Sequence, residues 1–284
     1  MKRPTAFWEL DFYSRPVLDE NNKKIWELLI CDRDRAFEWV KECPANEVNS
    51  TWLAQQLGAA MVAAGQTPQK VRFFRPSMSN IITRGCRQAG LTAQASRRMF
   101  TLLNWLEERM QTVYPQCAGF QAADPQPLPL KNLQLVKPEP LPNALMGERW
   151  LLVSLKAADF ALAAEWSMDF GELFSARSLP PDLVIPGIII ISSRALPLAA
   201  WMSGVDPVFL KFARSLDRVQ LILEASAEAS WILTTLQDRK DNKAIAEGES
   251  FETAKQKSGG VHFMAVQKNP EDEEFAGFWL LKEV

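Results

Sequence analysis

The stretch that most constrains this chain is residues 7–32, Phe-Trp-Glu-Leu-Asp-Phe-Tyr-Ser-Arg-Pro-Val-Leu-Asp-Glu-Asn-Asn-Lys-Lys-Ile-Trp-Glu-Leu-Leu-Ile-Cys-Asp. Two runs rich in aromatic and aliphatic residues flank a cluster of Pro, Asp and Asn, which is the pattern of a β-hairpin. In the first run Trp8, Leu10 and Phe12 share one face, and Glu9, Asp11 and Tyr13 share the other. The second run, Lys24 to Asp32, is apolar on both faces and reads as an inner strand. A turn centred near Glu20 sets Asp11 opposite Leu29 and diagonal to Glu27, so that three carboxylates meet on one face. Such a face is a metal or nuclease site, a solvated sheet face, or a set of partners for nearby arginines.

Trp8-Glu-Leu-Asp-Phe-Tyr-Ser-Arg-Pro16 and Lys23-Lys-Ile-Trp-Glu-Leu-Leu-Ile-Cys-Asp32 together resemble the opening of the Tab/Atab family. Gly277-Phe-Trp-Leu-Leu281 resembles the closing Trp-Leu-Leu signature of that family, so the likeness touches both ends. These are RNA-binding translation factors of chloroplasts and cyanobacteria that act on photosystem messages. The resemblance implies a non-catalytic protein, without cofactor or metal, that binds the 5′ leader of a single-stranded mRNA. It makes Trp8, Asp11, Tyr13, Arg15, Trp279, Leu280 and Leu281 signature positions. Translation or photosystem-assembly proteins are the partners it suggests.

The residues themselves narrow the choices. The folded pattern starts within a few residues of Met1, which predicts a bacterial cytoplasmic chain rather than an unprocessed organelle precursor, and with the resemblance a cyanobacterial one. The longest apolar runs, such as Ile188–Ile191, are far too short to span a bilayer. His262 is the only histidine, which removes histidine-based zinc sites, Ser-His-Asp triads and Cys-His dyads. Cys31, Cys43, Cys86 and Cys117 lack metal-binding or redox spacing and read as reduced thiols.

A net charge of −2 says little, but its distribution says more. Between Glu47 and Glu107 there is no acidic residue, and the window holds Lys70, Arg72, Arg75, Arg84, Arg87, Arg97 and Arg98. A positive region in a nearly neutral protein predicts an anion-binding surface. Phosphate contacts from these side chains, with Phe74 as a stacking platform, make Lys70, Arg72, Phe74, Arg75, Arg84, Arg87, Arg97 and Arg98 the candidate RNA-binding set. The bland alternative pairs the same arginines with acids of the hairpin. A third reading builds a metal-dependent nuclease on Asp11 and Glu27, and a fourth makes the basic face a docking site on an assembly scaffold. Nuclease chemistry is disfavoured, because neither of the next two helices nor the strand between them offers an acid to complete a two-metal site.

The predicted architecture is α/β, two domains with mixed sheets flanked by helices, duplicated and ribonuclease-H-like. The domains span 1–114 and 146–284, with a proline-rich linker over 115–145. In the first, Arg35–Cys43 reads as a third strand. Asn49 or Ser50 caps a helix ending at Gly65, Lys70–Arg75 is a strand, and Ser77 or Ser79 caps the next helix. Asn80, Arg84 and Arg87 share the outer face of that helix. A helix within Thr92–Tyr114 then carries Arg97 and Arg98 in its first turns, and Met99, Leu102, Leu103, Leu106 and Met110 inward. In the second domain, strands are expected at Arg149–Leu155, paired around Phe160–Phe174, at Leu183–Ser192 and at Arg218–Glu224. Helices are expected at Ala195–Gly204, Pro207–Leu216 and Asp238–Lys257, with a closing hairpin over Val261–Gln267 and Phe275–Lys282. Ser230–Gln237 fits either state.

Overall fold

The structure, a computed structural model, describes residues 7–122, 137–176, 179–215, 218–226, 229–237 and 241–283. It divides into two compact units, Met1–Leu133 and Gln134–Val284. Residues 123–136 of the segment expected as a linker lie outside the described residues. Its described flanks fold onto their own units: Phe120 bridges Val17 in the first, and Glu139–Pro140 pairs with a strand of the second.

The first unit is built on a five-stranded sheet in the order β3-β2-β1-β4-β5. The long strand β1 (Phe7–Leu18) and β2 (Lys24–Asp32) form the expected hairpin, with Asp11 opposite Leu29. The turn is held by Asp19, whose Oδ1 accepts from the amides of Asn21 and Lys23 at 2.8 Å each. Asn22 takes the left-handed conformation (φ 58°) that Asn tolerates better than most residues. β3 (Glu38–Cys43) continues the antiparallel meander. Helix α1 (Ser50–Ala64) crosses to β4 (Lys70–Phe73), and α2 (Ser79–Gln88) crosses to β5 (Ala93–Ala95), so β4 and β5 run parallel to β1.

Asn49 caps α1, its Oδ1 accepting from the amides of Thr51 and Trp52, and Gly65 ends the helix at φ 63°. Neither Ser77 nor Ser79 caps α2. A 3₁₀ turn over Pro76–Met78 leads directly into the helix and takes the place of a side-chain cap. The expected helix within Thr92–Tyr114 is shorter, α3 (Phe100–Thr112), because residues 93–95 join the sheet edge instead. Arg97 and Arg98 therefore precede the helix rather than sit in its first turns. Met110, expected inward, is 41 % exposed.

Strand alternation divides the core of this unit in two. Trp8, Leu10, Phe12, Leu28, Ile30, Val71 and Phe73 pack under α1 and α2. On the other face Val17, Leu29, Cys31 and Phe74 pack under α3.

The second unit does not repeat that sheet, so the expected duplication is not realised in its topology. A five-stranded sheet runs β7-β9-β13-β14-β8, and a four-stranded one β10-β11-β12-β6. Their strands are β6 (Glu139–Pro140), β7 (Arg149–Lys156), β8 (Met168–Glu172), β9 (Val184–Ile191), β10 (Pro207–Ser215), β11 (Arg218–Ala225), β12 (Ala229–Gln237), β13 (Val261–Gln267) and β14 (Phe275–Lys282). Helices α4 (Ala195–Val205) and α5 (Asn242–Lys257) contribute to a core shared by both sheets, in which Leu198, Met202 and Phe251 meet Ile190, Leu223, Val266 and Trp279. Two expectations fail here. The expected helix Pro207–Leu216 is strand over its described residues, Pro207–Ser215, since Val208, Leu210 and Phe212 alternate inward and pairing with β11 overrides the helical reading. The stretch around Phe160–Phe174 is a 3₁₀ segment, Ala157–Glu165, followed by one strand. Ser230–Gln237 resolves as strand within β12.

Candidate nucleic-acid interface

The carboxylates of the hairpin do converge, but on guanidinium groups. Asp11 is 1 % exposed, which overturns a solvated sheet face. Its Oδ2 accepts from Arg15 Nη1 at 2.8 Å, and Arg75 grips both of its oxygens, Nε at 2.6 Å and Nη2 at 3.2 Å. Glu27 accepts from Arg15 Nε at 2.9 Å, from the Tyr114 hydroxyl and from Arg109. Three guanidinium groups thus surround two buried carboxylates on the α3 face of the sheet. Glu9, the third acid of that face, accepts from the Leu102 amide at 2.7 Å and so caps the start of α3. A buried charge persists only when so paired.

The titration of the cluster follows from this packing. Burial opposes ionisation of Asp11, yet Arg15 and then Arg75 outweigh it and hold the carboxyl below its ordinary value of 3.8. Burial and the neighbouring Glu27 push the Tyr114 hydroxyl up, so it stays a proton donor. With every acid of the face engaged in this way, a divalent ion would have to displace arginines to bind. Among the described residues no group of three His, Cys, Asp or Glu side chains is placed to hold a metal.

The candidate RNA-binding residues separate by burial. Arg72 and Arg98 are 4 % and 2 % exposed, over the rings of Phe7 and Phe100 respectively. Phe74 is buried in the α3 core, which removes it as a stacking platform. Arg75 is half-buried, held between Asp11 and the Tyr13 ring. Lys70 and Arg97 are half-buried. Only Arg84 and Arg87 are exposed, on the outer face of α2 beside Asn80, as the helical spacing predicts. Strand alternation could have signalled the burial of Arg72 and Phe74, because both share the carboxylate face of the sheet. Arg109 and Tyr114 were missed altogether; they lie beyond the basic window, and only the packing of α3 brings them to Glu27.

The signature positions are structural as well. Trp8 is fully buried, Arg15 and Asp11 belong to the ion cluster, and Tyr13 packs beneath Arg75. Trp279, Leu280 and Leu281 lie in the core of the second unit.

Residues 7–109 match the N-terminal domain, and residues 127–282 the C-terminal domain, of the RNA-binding protein Tab2/Atab2. The chain belongs to the Tab2/Atab2 family of RNA-binding proteins. Among relatives of this family, the chain is 38 % identical over 286 residues to the chloroplastic TAB2 homologue of Zea mays, covering 98 % of this chain and 71 % of that protein. It is 38 % identical over 285 residues to the chloroplastic TAB2 homologue of Arabidopsis thaliana, covering 96 % and 74 %. Among solved structures, the magnesium complex of the HTLV-2 integrase catalytic core is 12 % identical, with a TM-score of 0.28 over 41 % of this chain and 78 % of that one. A simian T-cell lymphotropic virus intasome bound to a PP2A regulatory subunit gives a TM-score of 0.30 at 13 % identity, over 40 % and 41 % of the two chains. At that overlap the likeness bears on neither fold nor chemistry. Among the described residues of this Tab2/Atab2 chain, no helix is long and apolar enough to cross a membrane.

Proposed function

We propose that this Tab2/Atab2 protein is a non-catalytic translation factor that binds the 5′ leader of photosystem-subunit messages in the cytoplasm of a cyanobacterium. Membership of an RNA-binding family supports an RNA partner, and the resemblance of both chain ends to translation factors of photosystem messages supports the choice of message. The observation that carries the location is the exposure of Arg84 and Arg87 on α2, neither paired with a described carboxylate. Lys70 and Arg97 keep part of their surface in solvent. Arg72 and Arg75 lie on the α3 face of the sheet, across it from α2, and with the buried Arg98 they serve the fold of the first unit. With Phe74 in the core, affinity comes from phosphate contacts rather than base stacking on this face.

Filter binding of an AU-rich single-stranded RNA tests the assignment. Arg84→Glu/Arg87→Glu weakens binding about tenfold or more while thermal unfolding stays unchanged. Undiminished binding by that variant would remove the site from α2, and no binding by the wild-type chain would remove RNA as the ligand.

A further inference from the structure

The second unit carries a cleft of about 660 Å³ between the 3₁₀ segment 157–165 and the turn joining β13 to β14. Its apolar walls are Leu155, Leu162, Trp166 and Phe275, and Leu162 is 57 % exposed. Trp166 is fixed in place by Phe160, Phe275 and Phe278, with its ring 5.1 Å from that of Phe278. Five acids line the cleft, Asp159, Glu165, Asp272, Glu273 and Glu274, and no lysine or arginine does. Asp159 and Asp272 spend an oxygen on the amides of Lys156 and Asn269. Glu165, Glu273 and Glu274 form no ion pair among the described residues.

A second feature lies in the lining itself. Gln267 is 5 % exposed, and its Nε2 donates to the Asp272 carbonyl at 2.7 Å. Its Oε1 has no partner among the described residues and is not a buried atom, so it stands as a solvent-reachable acceptor in the lining of the cleft. An unpartnered acceptor, an acidic rim and an aromatic wall together disfavour a polyanion. They are the groups that receive a guanidinium, which donates in several directions and stacks on aromatic faces.

We propose that this cleft docks a basic segment of a partner protein, seating an arginine against Trp166 and Gln267 with an aliphatic side chain on Leu162. The site is separate from the RNA face of α2 and does not rest on that reading.

The test uses a fluorescein-labelled peptide carrying several arginines and one leucine, followed by anisotropy with the full chain. Saturable binding is expected, weakened about tenfold when citrulline replaces arginine and about tenfold in Glu273→Lys/Glu274→Lys. These are exposed turn positions, and unchanged thermal unfolding confirms the fold. Glu20→Lys/Glu47→Lys, an equal charge change in the first unit, leaves binding as in the wild type. Equal weakening by both double variants, equal binding of the citrulline peptide, or no saturable binding overturns the proposal.

Discussion

Arg75 and Asp11 meet in a two-pronged ion pair, with Nε 2.6 Å from Oδ1 and Nη2 3.2 Å from Oδ2, across 64 residues of sequence. The pair ties the end of β4 to the middle of β1 at a point where Asp11 is almost wholly buried. Replacing Arg75 by methionine leaves that carboxylate with one guanidinium fewer in a site that excludes water. A loss of about 3 kcal/mol is expected in urea unfolding. Asp11→Asn combined with Arg75→Met is milder than the sum of the single changes, which a double-mutant cycle reads directly.

The same pair makes the first unit acid-sensitive. Asp11 has its folded value depressed, so its contribution is complete above the unfolded value near 3.8 and disappears as the pH falls through the lower folded value. Amide exchange of residues 7–32 is expected to accelerate below pH about 4, and this step is absent in Asp11→Asn. Acceleration at the same pH in Asp11→Asn would assign the step to another group.

His262 sets a different window in the second unit. Its Nε2 accepts from the Leu210 amide at 2.8 Å and its Nδ1 contacts the Gly260 carbonyl at 2.8 Å. Burial drives its value from 6.5 down to about 3. The unfolded chain takes up a proton that the folded chain refuses, so stability is full above pH 6.5 and declines towards pH 3. His262→Gln flattens that slope in denaturant titrations across the window, and an unaltered slope contradicts it.

The exposed arginines of α2 carry a salt signature. Each phosphate contact on single-stranded RNA contributes roughly 0.7 to the slope of log K against log salt. Arg84→Gln/Arg87→Gln is expected to lower the slope by about 1.4. Arg72→Gln, at a buried position, lowers stability and leaves the slope alone.

Gly187 lies where a Cβ would come within 2.2 Å of the Phe263 ring. Gly187→Ala forces that ring out of its stack with Phe278 and costs about 1–3 kcal/mol in thermal or denaturant unfolding. A neutral result would mean that the ring has room to move.

The hairpin, its register and the order β1-β2-β3-α1-β4-α2 are legible in the local sequence, whereas β5 is not. Those rest on period-two alternation, turn residues and caps, all local in the chain. The pairing of Asp11 with Leu29 and the exposure of Arg84 and Arg87 follow from spacing alone. Tertiary structure decided what the charges do. Lys70 to Arg98 form one basic block in sequence, yet strand pleat and the cover of α3 send Arg72 and Arg98 inward and leave Arg84 and Arg87 outside. It also decided the state of residues 207–215, where pairing with β11 outweighed a pattern that reads as helix. Burial and pairing are properties of what a residue meets, and Arg109 meets Glu27 only once α3 has packed across the sheet.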